Sequence, residues 1–182
     1  MSWLGLGLGI ATWSLLEYCI HRWLGHDRRF RGNLFGQEHT RHHSQGDYFA
    51  PTWKKMLAAV VALIVLGVPA WLLAGTPGLW FSVGLIGFYG FYELLHRREH
   101  THRGIGAYGR WARRHHFFHH FVDPRSNHGV TSPIWDLVFG TYRTPEHIPV
   151  PEKLQMVWLT DARGDVWSDL TPFYSLRRAR AR

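Results

Sequence analysis

The stretch from Met56 to Tyr92, MLAAVVALIVLGVPAWLLAGTPGLWFSVGLIGFYGFY, holds no charged side chain. Gly75-Thr76-Pro77-Gly78 interrupts it with residues that favour turns. The two halves, Leu57–Ala74 and Leu79–Leu95, would each reach ~27 Å as helices at ~1.5 Å per residue, close to a hydrocarbon core of ~30 Å. This pattern predicts a helical hairpin that spans a bilayer. A buried helix pair in a soluble bundle is the alternative, and the exclusion of charge over this length weighs against it. Upstream, Trp3 to Ile20 carries one charged residue, Glu17. It lacks the basic lead and small-residue cleavage site of a removable signal peptide, so a third span is expected there. The fold class that follows is all-α: an integral membrane protein of about three transmembrane helices with a histidine-rich helical cap.

The 182 residues suit a single domain, with a core over about 15–145 and a basic tail over about 146–182. Cys19 is the only cysteine, which excludes a disulfide framework and thiolate metal ligation. The formal charge is +8, and 18 of the 21 basic residues are arginine. Nucleic acid is the usual partner of such a balance. Here, however, the arginines flank apolar segments, which points to a membrane surface and away from nucleic acid. The mean hydropathy of -0.20 averages two unlike parts and does not exclude a membrane protein. Arg22, Arg28, Arg29, Arg31, Arg41, Lys54 and Lys55 lie between the first and second spans. Arg97, Arg98, Arg103, Arg110, Arg113 and Arg114 follow the third, and the hairpin turn has none. Both basic segments are therefore expected on the cytoplasmic side, with the C-terminus.

Those same segments carry the histidines, 13 of the 14 lying between residues 21 and 128. In Arg113-Arg114-His115-His116-Phe117-Phe118-His119-His120, three histidines (His116, His119, His120) stand at i, i+3 and i+4. That spacing gathers imidazoles on one helix face, aimed at one point. His39, His42 and His43 repeat it, and the pairs His21/His26 and His96/His100 complete four groups. One triplet alone could be a solvated helix face. Its repetition predicts a site for more than one metal ion, since neutral imidazole suits iron, zinc, copper and nickel.

His21 and His26 would lie ~140° apart on a continuous α-helix. They are expected to straddle a helix end, with Gly25 letting the chain turn. Glu17 stands one turn before His21, as Glu93 does before His96. Either carboxylate could accept a ligand's second N–H and orient it; for Glu17, pairing with Arg22 is the alternative. His102 and His115 fall off the faces of their clusters. His102 reads as a non-ligand and His115 as a possible support behind the ligands. His147, among prolines, reads as exposed.

The order H-x4-H, H-x2-H-H, H-x3-H, H-x2-H-H, split by an apolar hairpin, resembles the fatty acid hydroxylase/sterol desaturase superfamily of membrane di-metal oxygenases. The segment Asn127-His128-Gly129-Val130-Thr131-Ser132-Pro133-Ile134-Trp135-Asp136-Leu137-Val138-Phe139-Gly140-Thr141-Tyr142 is similar to that family's tail. By position, the resemblance implies ten ligands: His21, His26, His39, His42, His43, His96, His100, His116, His119 and His120. It implies two iron ions, which zinc could replace on purification, and O2 as co-substrate. It further implies a lipid substrate drawn from the bilayer (fatty acyl, sterol-like or isoprenoid) and a separate ferredoxin- or cytochrome-type electron donor. Hydroxylation is the expected reaction, with desaturation at the same site as the alternative. The chain departs from the pattern in having one span before the first histidine pair. It also has His128 at a place more often aromatic, where it could add a ligand or line the pocket.

Outside the histidines, Asp136 is expected to cap a helix or pair with an arginine rather than catalyse, and Asn127 to support the site. Prolines at 145, 149, 151 and 172 break up the chain beyond Thr144, and Leu176 to Arg182 reads as a frayed basic tail. A metal-transport protein would place histidines within spans or in low-complexity runs. A structural zinc protein would favour cysteine. Neither matches spaced clusters at span ends.

Overall fold

The computed structural model describes residues 2–30, 32–104 and 106–178. Helix α1 (Ser2–Cys19) continues directly into a π-helical turn, Ile20–His26. After a short loop come α2 (Leu34–Gln45) and α3 (Thr52–Ala62), the latter continued by a second π turn, Leu63–Gly67, into α4 (Val68–Ala74). Helices α5 (Thr76–Thr101), α6 (Gly106–Phe121) and the short α7 (Ile134–Val138) follow. Two short strands, β1 (Ile148–Pro151) and β2 (Tyr174–Arg177), close the chain. The protein is mostly helical, as the sequence indicated, with this small sheet added.

Among the described residues, three rods are long and apolar enough to cross a membrane: Ser2–His26, Thr52–Ala74 and Thr76–Thr101. The hairpin turn is tight. Gly75 takes a positive φ of 59° and its N–H donates to the Trp71 carbonyl at 2.8 Å, while Pro77 sits in the first turn of α5, where no N–H is needed. Helix α5 runs past Leu95 to Thr101, so His96 and His100 stay on one continuous helix as i, i+4 neighbours.

The first and third spans meet through glycine. A β-carbon on Gly9 would collide with the Phe81 carbonyl and stand 2.7 Å from the Leu85 nitrogen; one on Gly84 would collide with the Leu6 carbonyl. Such close backbone approach is how helices gain van der Waals contact where lipid removes the hydrophobic drive between them. Below the crossing, Trp13, Leu85 and Tyr89 are buried together, the Trp13 and Tyr89 rings 4.4 Å apart. The second span leaves Ile64, Val65, Leu72 and Leu73 exposed, as a lipid-facing helix would.

The C-terminal segment is folded, and here the structure corrects the sequence reading. β1 and β2 pair in parallel, Ile148 opposite Tyr174 and Val150 opposite Leu176. Ile148, Val150, Trp158, Leu159 and Tyr174 are buried against Phe117 and Phe121 of α6. Pro149 and Pro151 fit because a two-stranded sheet has only edge strands, where a missing N–H costs no ladder bond on the open side. Leu176 and Arg177 therefore belong to β2, and Arg178 stands 3.8 Å from Glu152; the remainder of the expected frayed tail, residues 179–182, lies outside the described residues.

Substituting leucine for Gly9 or Gly84 is expected to destabilise the detergent-solubilised protein by about 1–3 kcal/mol or more, as overpacking does. Gly7→Leu, whose β-carbon meets nothing within 4 Å, is expected to be neutral. Thermal unfolding of the three variants checks this.

Candidate metal centre

Ten histidines converge as two groups of five. His21, His26, His39, His43 and His119 form one; His42, His96, His100, His116 and His120 form the other, with the ligand-capable nitrogens of each group within 4.8 Å of one another. These are the ten that the resemblance implied. The triplets do not aim at one point, however. On α2, His39 and His43 serve the first group and His42 the second; on α6, His116 and His120 serve the second and His119 the first. The reason is helical geometry: at ~100° per residue, i+3 and i+4 lie on opposite sides of residue i. Each triplet therefore bridges both groups, which meet where the rings of His43 and His120 stack at 3.9 Å.

His21 and His26 do not straddle a helix end. They lie within the π-helical turn Ile20–His26. An i→i+5 turn has more residues per revolution than an α-helix and returns position i+5 to the face of position i. The two rings are accordingly 5.2 Å apart. Gly25 has a different task from turning the chain: a β-carbon there would stand 2.9 Å from Cδ2 of His39, so it makes room for that ring.

Backbone carbonyls orient three of these histidines. Nδ1–H of His21 donates to the His128 carbonyl at 2.5 Å, that of His42 to Tyr48 at 2.6 Å, and that of His119 to Ser126 at 2.7 Å. Each bond fixes the tautomer and leaves the Nε2 lone pair for a metal. The Nε2 atoms then crowd together: His39 to His26 at 2.7 Å, His119 to His26 at 2.9 Å, His96 to His42 and His100 to His116 both at 3.0 Å. Nε2 of His21 and His43, and both ring nitrogens of His120, are buried without a partner among the described residues.

Burial, reinforced by the surrounding imidazoles, holds His39, His43, His116, His119 and His120 well below the usual histidine range, and burial pushes His42 down to about 4. All are therefore neutral at pH 7, the form that binds metal. Converging ring nitrogens in a buried site, several without a partner among the described residues and with no thiolate among them, fit two cations of the imidazole-preferring class.

The supporting residues are placed differently from the expectation. Glu17 meets neither His21 nor Arg22, whose guanidinium donates to the Tyr18 hydroxyl at 2.8 Å. Glu17 instead accepts from the N–H groups of Val130 and Thr131, at 2.6 and 2.8 Å, and from the Thr131 hydroxyl at 2.8 Å. It thus pins the loop whose His128 carbonyl holds His21. Glu93 pairs with Lys55 rather than His96. Asp136 caps no helix and meets no arginine among the described residues. It accepts from the N–H groups of His128 and Gly129, both at 2.8 Å, from the Thr141 hydroxyl at 2.7 Å, and from Nε2 of buried His115 at 3.2 Å. Asn127, at a positive φ of 55°, clamps Arg143 with both side-chain atoms. The His128 ring is buried beside His119, 5.2 Å between centroids, but stands outside both groups of five, as do His102, His115 and His147.

Sequence reasoning missed Tyr48 and Ser126, which act through carbonyls that any residue type carries. It also missed Glu99, visible as a charge between His96 and His100. Its side chain is buried, with Oε2 3.9 Å from Nε2 of His116.

The fatty acid hydroxylase profile matches residues 6–141. The chain belongs to the fatty acid hydroxylase family. It is 33% identical over 142 residues to the ceramide very long chain fatty acid hydroxylase scs7 of Schizosaccharomyces pombe, covering 74% of this chain and 41% of that protein. It is 33% identical over 152 residues to the fatty acid 2-hydroxylase of Homo sapiens, covering 76% and 39%. With the dihydroceramide fatty acyl 2-hydroxylase FAH2 of Arabidopsis thaliana it shares 29% over 147 residues, covering 75% and 59%. The solved hydroxylase domain of full-length scs7p superimposes with a TM-score of 0.59 at 24% identity, covering 78% of this chain and 57% of that one, a likeness of fold. The chain spans about two fifths of the length of the first of these relatives.

Glu17→Ala would orphan two buried backbone donors, at about 1–3 kcal/mol each. Its thermal midpoint in detergent should fall well below that of Glu17→Gln, which keeps an acceptor oxygen. Equal midpoints would contradict the clamp.

Proposed function

We propose that this chain is a membrane di-iron hydroxylase that inserts one oxygen atom of O2 into a C–H bond of a long acyl chain, at the carbon beside the carbonyl of a fatty acid or ceramide. One observation carries the reading: the histidine groups form a wall of an apolar cavity of about 430 Å3, within the ~300–1,000 Å3 typical of ligand sites. His39 from the first group and His42 and His96 from the second line it, facing Leu57, Ala58 and Val61 of the second span. An acyl chain entering from the bilayer would lie against all three. The relatives named as fatty acid 2-hydroxylases support the choice of carbon.

Bound iron supplies the oxidising power toward an unactivated C–H bond, which no side chain provides. The chain's own residues prepare that chemistry. His21, His42 and His119, tied to carbonyls, hold their rings in fixed orientation. Trp13, Phe35, Phe49 and Trp53 line the same cavity and keep water from the reacting carbon. At the rim, Lys54 pairs with Glu38 and Lys55 with Glu93, so the polar end of a lipid meets charges already neutralised. The reaction consumes O2, two electrons and two protons and yields an alcohol and water, with the electrons from a separate donor protein. The arginines flanking the histidine segments support placing the site on the cytoplasmic face.

Protein expressed with iron and purified without oxygen in mild detergent should hold about two irons per chain. His42→Ala/His119→Ala, which removes one member of each group, should lose them while still inserting in the membrane. Full retention would sink the assignment. In host lipids exposed to isotopically labelled O2, the wild type should add one labelled oxygen next to the acyl carbonyl and the double variant none. New double bonds without added oxygen would instead indicate desaturation.

A further inference from the structure

Glu99 is the buried acid that the arrangement so far leaves without a task. It lies on α5 between His96 and His100 and is 3% exposed. Neither carboxylate oxygen has a hydrogen-bond partner among the described residues. A carboxylate in that state is strongly unfavourable unless something compensates it. Two compensating charges are within reach: the guanidinium of Arg113 and a cation held by the second histidine group.

Arg113 is itself buried but engaged elsewhere. Its guanidinium lies 3.8 Å over the Trp158 ring and donates to the His102 carbonyl at 3.3 Å, and it makes no ion pair with Glu99. The carboxylate lies beside the second histidine group. Its Oε2 is 3.9 Å from Nε2 of His116, the atom that converges on His100 Nε2 at 3.0 Å, while Nδ1 of His116 has no partner. Donors on one ion stand ~2.0–2.2 Å from it. An oxygen and a nitrogen sharing that ion are then at most ~4.4 Å apart. The 3.9 Å to His116 meets this limit, but Glu99 is not among the donors that all lie within 4.8 Å of one another, so a bound water would span the remaining gap.

Resting on the di-metal reading above, we propose that Glu99 is a carboxylate of the metal centre, holding through one bound water the ion of His42, His96, His100, His116 and His120. The two ions are then unequal. The first sits among neutral imidazoles alone, whereas the second has an anionic oxygen beside it and so carries less net charge and binds more tightly.

The test uses the full chain in detergent, stripped with a chelator and titrated with zinc(II), and in parallel with cobalt(II), whose visible absorption reports coordination. Wild type should bind two ions of unequal affinity. Glu99→Gln and Glu99→Leu should each weaken one ion by about tenfold or more, the range for support groups of a metal site, and leave the other unchanged. The cobalt spectrum of the weakened ion should change. The metal-free thermal midpoint should hold or rise, since an uncompensated buried charge has gone. Unchanged affinities for both ions would overturn the proposal. So would equal weakening of both with a lower metal-free midpoint, the signature of a structural Glu99–Arg113 partnership. Wild type that fails to bind two ions would sink the di-metal reading itself, a result distinct from two ions that ignore Glu99.

Discussion

Ten imidazoles packed together in a dry interior leave ring nitrogens over. Nε2 atoms of neighbouring rings approach to 2.7–3.0 Å, while Nε2 of His21 and His43 and both ring nitrogens of His120 have no partner among the described residues. Protonation would place a charge among nine other rings, and burial with mutual repulsion holds His39, His43, His116, His119 and His120 neutral. Cations are the remaining partner. The surrounding scaffold can be understood as what keeps this crowding in place: helices that deliver the rings, carbonyls that set their tautomers, and a loop that keeps the carbonyls where they are.

Delivery uses two kinds of helical turn. An α-helix separates i+3 from i+4 by ~100°, so each triplet on α2 and α6 feeds both groups, with the i/i+4 pair going to opposite groups on the two helices. His21 and His26 both belong to the first group, and an α-helix would splay them by ~140°. The π turn solves this by widening the coil over seven residues, Ile20–His26. A local defect in the first span is thus a requirement of the metal site, in keeping with the tendency of π turns to mark functional positions.

The spans and the ten histidines that gather were legible in the sequence because both are patterns of side-chain type: absence of charge over a length, and histidine at helical spacing. The hairpin turn was legible for the same reason, since Gly75 and Pro77 have restricted roles. The supporting contacts were not. Tyr48, Ser126 and His128 act through backbone carbonyls, which leave no trace in residue identity. Glu17 was noticed for its position before His21, but its partners are N–H groups more than a hundred residues away. The C-terminal segment was misjudged because its prolines lie on edge strands, where they do not interrupt pairing, and its apolar residues find their core only against Phe117 and Phe121.

The loop from Ser126 to Tyr142 ties these parts together. Glu17 in the first span holds it at Val130 and Thr131, Asp136 holds it at His128 and Gly129, and Asn127 holds its return at Arg143. In exchange the loop presents the carbonyls of Ser126 and His128 to His119 and His21, both in the first group. No carbonyl from this loop reaches the second group, where His42 leans on Tyr48 instead. The residues from Asn127 to Thr141 therefore brace the first histidine group and the first span. A substitution there would loosen the first histidine group and the α1 end of the fold together, because the same hydrogen bonds hold both.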